Sequence, residues 1–226
     1  MKTTNYQLVI LILALALAGI APLLFPIAQA GIAPLSDMAT TYLLPSAILL
    51  LAVIGVASFT KAKPAARQIA NGFVAGIVAT VALEIIRITG FKLGGMPGDM
   101  PKLLGVLLLD QFARGPDLGS NIAGWSYHFW NGAAFGIIYS ILAGRGKIWT
   151  GILFGILVGI GFMVSPVTRA LGIGAFGFEF KDGYQFLTTV TLAHIAFGLV
   201  LGWILQKSNR QYDSIFKQLR NRFHSA

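Results

Sequence analysis

The chain has no cysteine among its 226 residues, which excludes disulfides, thiolate metal sites and cysteine nucleophiles outright. Charge is scarce: 11% of residues are charged, against about 25% in an average soluble domain. Acidic residues number eight, against 17 Lys and Arg. There is no Walker phosphate loop, no Gly-x-Ser-x-Gly elbow, no pair of carboxylates within one apolar run and no His-x-Glu with a Pro-Cys-x-x-Cys partner, so the hydrolase, nucleotide and deaminase chemistries built on those motifs have no carrier. What remains is apolar surface. Hydrophobic residues make up 56% of the chain, and the mean hydropathy is +0.75. Such a chain cannot cover itself with polar groups in water. Its 27 glycines suit close helix contact in lipid.

The apolar residues fall into six runs, at about 7–28, 41–59, 69–91, 123–143, 148–167 and 186–205. A run of about 20 residues spans a bilayer as a helix. Basic residues favour alternate connections: Lys61, Lys63 and Arg67 in the second, Arg145 and Lys147 in the fourth, Lys207, Arg210, Lys217, Arg220 and Arg222 after the last run, and Lys2 before the first. The other connections carry Asp37 alone or balanced mixtures. Basic residues near span ends stay in the cytoplasm, so the expectation is a multi-pass protein of a bacterial inner membrane with both termini cytoplasmic. Lys2, an apolar run and Ala28-Gln29-Ala30 have the look of a cleavable signal. The run exceeds the usual core of about 7–15 residues, which favours an uncleaved first span.

The expected fold is therefore all-α. Residues 1–206 form a six-helix transmembrane domain and residues 207–226 a basic amphipathic cytoplasmic tail. Pro22 and Pro26 are expected to bend the end of span one, and Pro45 to sit in the first turn of span two. The longest connection, 92–122, holds the turn-rich Gly94-Gly95-Met96-Pro97-Gly98 and an apolar piece, 103–109, too short to cross. It is expected as a re-entrant or interfacial helix on the outer face. In the tail, Tyr212, Phe216, Leu219 and Phe223 recur at helical spacing while Lys217, Arg220 and Arg222 take other faces. That pattern predicts an in-plane helix against anionic lipid headgroups. The positive charge lies at span ends and in this tail, so lipid is the expected partner and nucleic acid is not.

Glycines recur every fourth residue. Span three has Gly72 and Gly76, span four His128-x3-Gly132-x3-Gly136, span five Gly151, Gly155 and Gly159, and span six His194-x3-Gly198-x3-Gly202. Either 69–143 and 148–205 are two copies of one helical hairpin, or the spacing is the ordinary small-residue pattern of membrane helices. Under both readings spans three to six form a close-packed core with spans one and two at its edge.

Ionisable groups inside a span cost on the order of 3 kcal/mol or more and usually have a partner and a task. Glu84 lies about 9 Å from the outer end of span three at 1.5 Å per residue, and Arg87 follows one turn later. His128 with Asn131 lies in the outer half of span four, His194 in that of span six, and Arg169 just past span five. These six residues are expected to converge on one polar site. The plainer reading makes Glu84 and Arg87 a self-neutralising pair and each histidine interhelical glue. If the site is functional, its chemistry suits movement of a small solute or ion. One alternative is a redox subunit, with His128 and His194 as axial ligands of haem b or, with Glu84, holding a single metal ion, among Phe129, Trp130, Phe135 and Phe197. Another is an accessory or assembly subunit whose glycine faces meet a second copy or a membrane-complex partner.

The stretch 72–87, Gly95-Met96-Pro97, Tyr127-His128-Phe129-Trp130-Asn131-Gly132 and Ala193-His194-x3-Gly198-x3-Gly202 together resemble small uncharacterised bacterial inner-membrane proteins of the domain-of-unknown-function kind. The resemblance covers spans three to six and implies a membrane fold, without an activity or ligand.

Overall fold

The computed structural model describes residues 5–181 and 183–223, the latter without the Phe223 side chain. Lys2, residues 224–226 of the tail and the expected place of Phe223 on its apolar face lie outside the described parts. In chain order the elements are α1 (Asn5–Gln29), α2 (Leu35–Met38), a π-helical turn (Ala39–Leu43), α3 (Leu44–Ser58), α4 (Lys63–Lys92), α5 (Met100–Leu108), α6 (Leu118–Ala143), α7 (Ile148–Val164), α8 (Pro166–Ala170), a 3-10 turn (Ala175–Gly177), α9 (Gly183–Ser208) and α10 (Ile215–Phe223). No strand occurs among the described residues. Among the described residues, five stretches are long and apolar enough to cross a membrane: Asn5–Gln29, Leu35–Ser58, Lys63–Lys92, Ile148–Ala170 and Gly183–Ser208. At 26 residues α6 matches α9 in length but falls outside that set, because Ser126, Tyr127, His128, Asn131, Tyr139 and Ser140 dilute its apolar content.

Proline explains most departures from the expected boundaries. Pro45 has no N–H to donate, and the chain ahead of it winds into a π-turn in which the Leu44 N–H reaches Ala39 O. One inserted residue thus makes room for the ring, and the second span starts earlier than expected. Pro22 and Pro26 both lie inside α1. Pro166 ends α7 early: Ser165 is extended (φ −70°, ψ 165°) and its Oγ accepts from Val167 N, as the residue before a proline prefers. The next five residues form α8. At the other extreme, α6 begins ahead of its apolar run because Asp117 and Ser120 close a reciprocal capping box.

The core is a row of four helices in the order α6, α4, α9, α7, each packed along its neighbour. Backbones touch where glycines face one another. A Cβ at Gly72 or Gly76 would run into the carbonyls of Gly136 or Gly132, and one at Gly151 or Gly155 into those of Gly198 or His194. On the other side of α4, Gly90 lies against Thr189 of α9. Short α5 lies backbone to backbone on the start of α6 through Gly105 and Gly124. α1 packs on α6, α3 and α8, and α10 docks on α1 and α6. In the tail, Tyr212 is buried and Leu219 packs against the core as the spacing predicts, whereas Phe216 is exposed and Ile215 and Gln218 are buried instead, so the packed face is turned from the expected one and overlaps it in part.

The two helix pairs share one register. Gly72 opposes Gly136 as Gly151 opposes Gly198, and Gly76 opposes Gly132 as Gly155 opposes His194. His194 therefore corresponds in space to Gly132, one turn from the position that the His-x3-Gly-x3-Gly alignment gives it.

Candidate functional site

Two buried polar clusters lie at opposite ends of the row. At the end carrying Lys63, Arg67 and Lys147, Gln68 Nε2 donates to Ser140 O (2.8 Å) and Ser140 Oγ to Gln68 O (2.7 Å). Asn209 Nδ2 donates to Ser140 Oγ (2.8 Å) and accepts on Oδ1 from Asn71 (2.9 Å). These side chains are paired, and the cluster ties the end of α9 to α4 and α6. None of its atoms is among the buried polar atoms that lack a hydrogen bond among the described residues.

The cluster at the other end differs. Glu84 and Arg87, one turn apart on α4, are 4% and 5% exposed. Arg87 Nε donates to both Glu84 oxygens (2.7 and 2.9 Å) and Nη2 to Oε2 (2.7 Å). Asp99, at the start of α5, brings Oδ1 to 3.2 Å from Nη2. His128 of α6 places Nε2 2.9 Å from Glu84 Oε1. Both of these last contacts are close enough for charge to act but fall outside hydrogen-bond directions. Of the buried side-chain polar atoms that lack a hydrogen bond among the described residues, Asp99 Oδ1 and His128 Nε2 stand in the two ion contacts just given, and Arg87 Nη1 and Asn131 Oδ1 are left without a partner. Trp125 covers the group, its ring 6.0 Å from Arg87 Cζ and 6.2 Å, edge-on, from the His128 ring. Buried polar atoms are nearly always satisfied, so each exception calls for an explanation such as ordered water, strain or a bound molecule.

Beside this cluster lies a cavity of about 460 Å³ whose wall includes Arg87, His128, Asn131 and His194. It exists because α6 and α7, though consecutive, barely touch. They meet near the basic end, where the Tyr139 hydroxyl lies 2.7 Å from Thr150 Oγ1 and the Phe154 ring lies tilted against that of Tyr139 (5.2 Å, 44° between planes). Beyond Phe135 the space between them is open, closed at the end by Met96, Met100 and Leu104 and from the side by Pro22, Phe25 and Pro26 of α1. His194 stacks on Phe162 (6.5 Å, 21° between planes), and its Nδ1 lies 2.8 Å from Val190 O of its own helix. A carbonyl only accepts, so in the neutral ring Nδ1 carries the proton and Nε2 is left as an acceptor.

Five of the six site residues expected from sequence are thus near neighbours: Arg87, His128, Asn131 and His194 line one cavity, and Glu84 stands directly behind Arg87 and His128. Arg169 is not with them. It is exposed on α8, while Ser165 and Val167 beside it line the cavity. A paired axial-ligand geometry is poorly served, because His128 Nε2 already faces Glu84. No group of three or more His, Asp or Glu among the described residues could hold a metal ion. Spacing did not point to Asp99, which sits in a loop where aspartate is commonplace, or to Trp125. The one available signal was that so few acidic residues exist in this chain.

No curated protein and no solved structure matches this chain. A sequence family described as a family of unknown function, DUF6789, matches residues 66–215. That segment includes the polar cluster and both glycine-packed helix pairs, while α1, which closes one side of the cavity, lies outside it. Covering about two thirds of the sequence, the match makes this chain a member of the DUF6789 family of unknown function.

Proposed function

We propose that the chain is a six-span protein of a bacterial inner membrane, both termini cytoplasmic, that moves a small solute or ion through the polar site in the outer half of the bilayer. One observation carries the reading: a cavity of about 460 Å³ among membrane-length helices is lined by Arg87 and Asn131, each with a buried polar atom left unpaired. Orphaned polar atoms in a low-dielectric setting cost about 1–3 kcal/mol each, and that expense is recovered only when a ligand or water meets them. The orientation is supported by Lys61, Lys63, Arg67, Arg145, Lys147, Lys207 and Arg210, all near one end of the row. α6 as the sixth span is supported by its length and its close antiparallel contact with α4.

The test is flux across proteoliposomes holding the purified full chain. Protons are followed with a trapped pH dye and small uncharged solutes by light scattering. The expected result is flux above that of empty vesicles, reduced at least several-fold in Glu84→Gln. Folded, reconstituted protein that carries neither protons nor solutes would remove the transport reading.

A further inference from the structure

The cavity has a polar wall and an apolar mouth, and the two together restrict what fits. The lining residues that are also exposed include Leu23 of α1 and Gly161 of α7. Both are apolar and both sit on helices long enough to cross a membrane. The mouth therefore opens sideways, toward lipid tails. Phe25, Phe135, Phe162 and Phe197 line the interior, which suits a flat ring flanked by an apolar chain.

Charge decides the nature of the head. Glu84 and Asp99 set two carboxylates against the single cation of Arg87. With His128 neutral the cluster is net −1, and with His128 protonated it is zero. Neither state offers net positive charge to an anion. Lys102, 3.9 Å from the other Asp99 oxygen, is exposed and does not line the cavity. A cation fares no better, because Arg87 lines the cavity while Glu84 lies behind it, so an incoming positive charge meets like charge first. The groups left without a partner are the two N–H donors of Arg87 Nη1 and an acceptor at Asn131 Oδ1, with His194 Nε2 as a further acceptor in the neutral ring. A carbonyl oxygen satisfies the first and a hydroxyl satisfies either of the others.

We infer that the cavity takes an uncharged, ring-bearing lipid of the quinone or quinol class, its ring oxygens meeting Arg87 and Asn131 and its tail leaving past Leu23 and Gly161. This assignment rests on reading the cavity as the solute site and names the class of solute.

The full chain in an uncharged detergent is titrated with three probes of equal chain length: a decyl-substituted benzoquinone, decanoate and decyltrimethylammonium. Binding is read by calorimetry and by the shift in unfolding midpoint. The quinone is expected to give a saturable upward shift and the two ions none. Asn131→Leu should weaken the binding of the reduced, hydroxyl-bearing form about tenfold, the worth of one lost hydrogen bond. Gly161→Phe should block the mouth with the fold intact, since a Cβ there meets nothing within 4 Å. Tighter binding of either ion, or quinone binding unaltered in both variants, overturns the assignment. Quinone binding without flux in proteoliposomes leaves this assignment standing and removes the transport reading. Flux without quinone binding does the reverse.

Discussion

The pairing of Glu84 with Arg87 can be tested by removing its charge while keeping its shape. In Glu84→Gln the three hydrogen bonds of 2.7, 2.9 and 2.7 Å lose their anionic acceptor, and the new amide turns N–H against N–H. Breaking one partner of a buried pair costs about 3–5 kcal/mol, mostly because the surviving charge is left uncompensated. Here Asp99 remains 3.2 Å from Arg87 Nη2, which puts the expected loss near the lower limit, about 3 kcal/mol. For a chain of this size each kcal/mol lowers the unfolding midpoint by about 2–4 °C, so a fall of about 6–12 °C is expected. Tryptophan fluorescence during a thermal ramp in detergent reads it, with Trp125 against the cluster as the local reporter. Arg87→Met alone strands Glu84 in the same way. The double variant Glu84→Gln/Arg87→Met strands neither, so it should be closer to wild type than either single variant. Losses that simply add, or a Glu84→Gln midpoint within about 1 °C of wild type, would show that the pair is not the electrostatic unit described.

The glycine contacts give a second double-mutant cycle. A Cβ at Gly132 would overlap Thr80 Oγ1, so Gly132→Ala should lose about 1–3 kcal/mol by overpacking. Thr80→Ala alone should lose about 1 kcal/mol with its 2.8 Å bond to Gly76 O. Combined, the two should cost less than their sum by more than about 0.5 kcal/mol, whereas Gly19→Ala, with nothing within 4 Å of its Cβ, should be silent; equal effects at Gly132 and Gly19 would refute the packing argument. A third prediction concerns pH. The Ser120 N–H bond to the Asp117 carboxylate holds that carboxyl below its ordinary value. A depressed value in the folded state contributes stability above the ordinary carboxylate range and loses it as pH falls through the folded value. The protection of the amides at the start of α6, with the intrinsic pH dependence of exchange divided out, should therefore fall at acid pH in wild type, and Asp117→Asn should flatten that dependence; an unchanged profile would show that the cap carries no charge dependence.

How far the sequence discloses the molecule depends on which physical signal each part leaves. Long apolar runs leave a strong one, and α1, α4 and α9 lie within a few residues of their expected places. Polar side chains that serve the interior weaken the same signal: α6, carrying His128, Asn131 and Ser140, is legible as a run at about 123–143 yet less apolar than the other long helices, and it carries part of the site. Ionisable residues in oil point to Glu84, Arg87, His128 and His194 individually, because each is expensive without a partner. Asp99 gives no such alarm in a loop. Arg169 gives a false one, since a cation at the end of a span is as well placed in water as in a site. The cavity leaves no trace in the sequence at all. It is made by two consecutive helices failing to touch and by α1 closing the gap, and neither is a property of any local stretch.

The shared register of the two helix pairs shows how one packing scheme yields two different walls. In α4 and α6, Thr80 fills the space opposite Gly132; in α7 and α9, the His194 side chain fills the space opposite Gly159. The bulky group has changed helices while the glycine backbones keep the same contacts. If His128 and His194 were equivalent, they would face equivalent surroundings. Instead His128 meets Glu84, whereas His194 stacks on Phe162 and bonds its own helix. One histidine belongs to the charged cluster and the other to the apolar chamber. The pairs therefore do not supply a symmetric pair of ligands: they supply a polar end and a ring-stacking wall to one cavity, and an uncharged molecule with both characters is what such a cavity can hold.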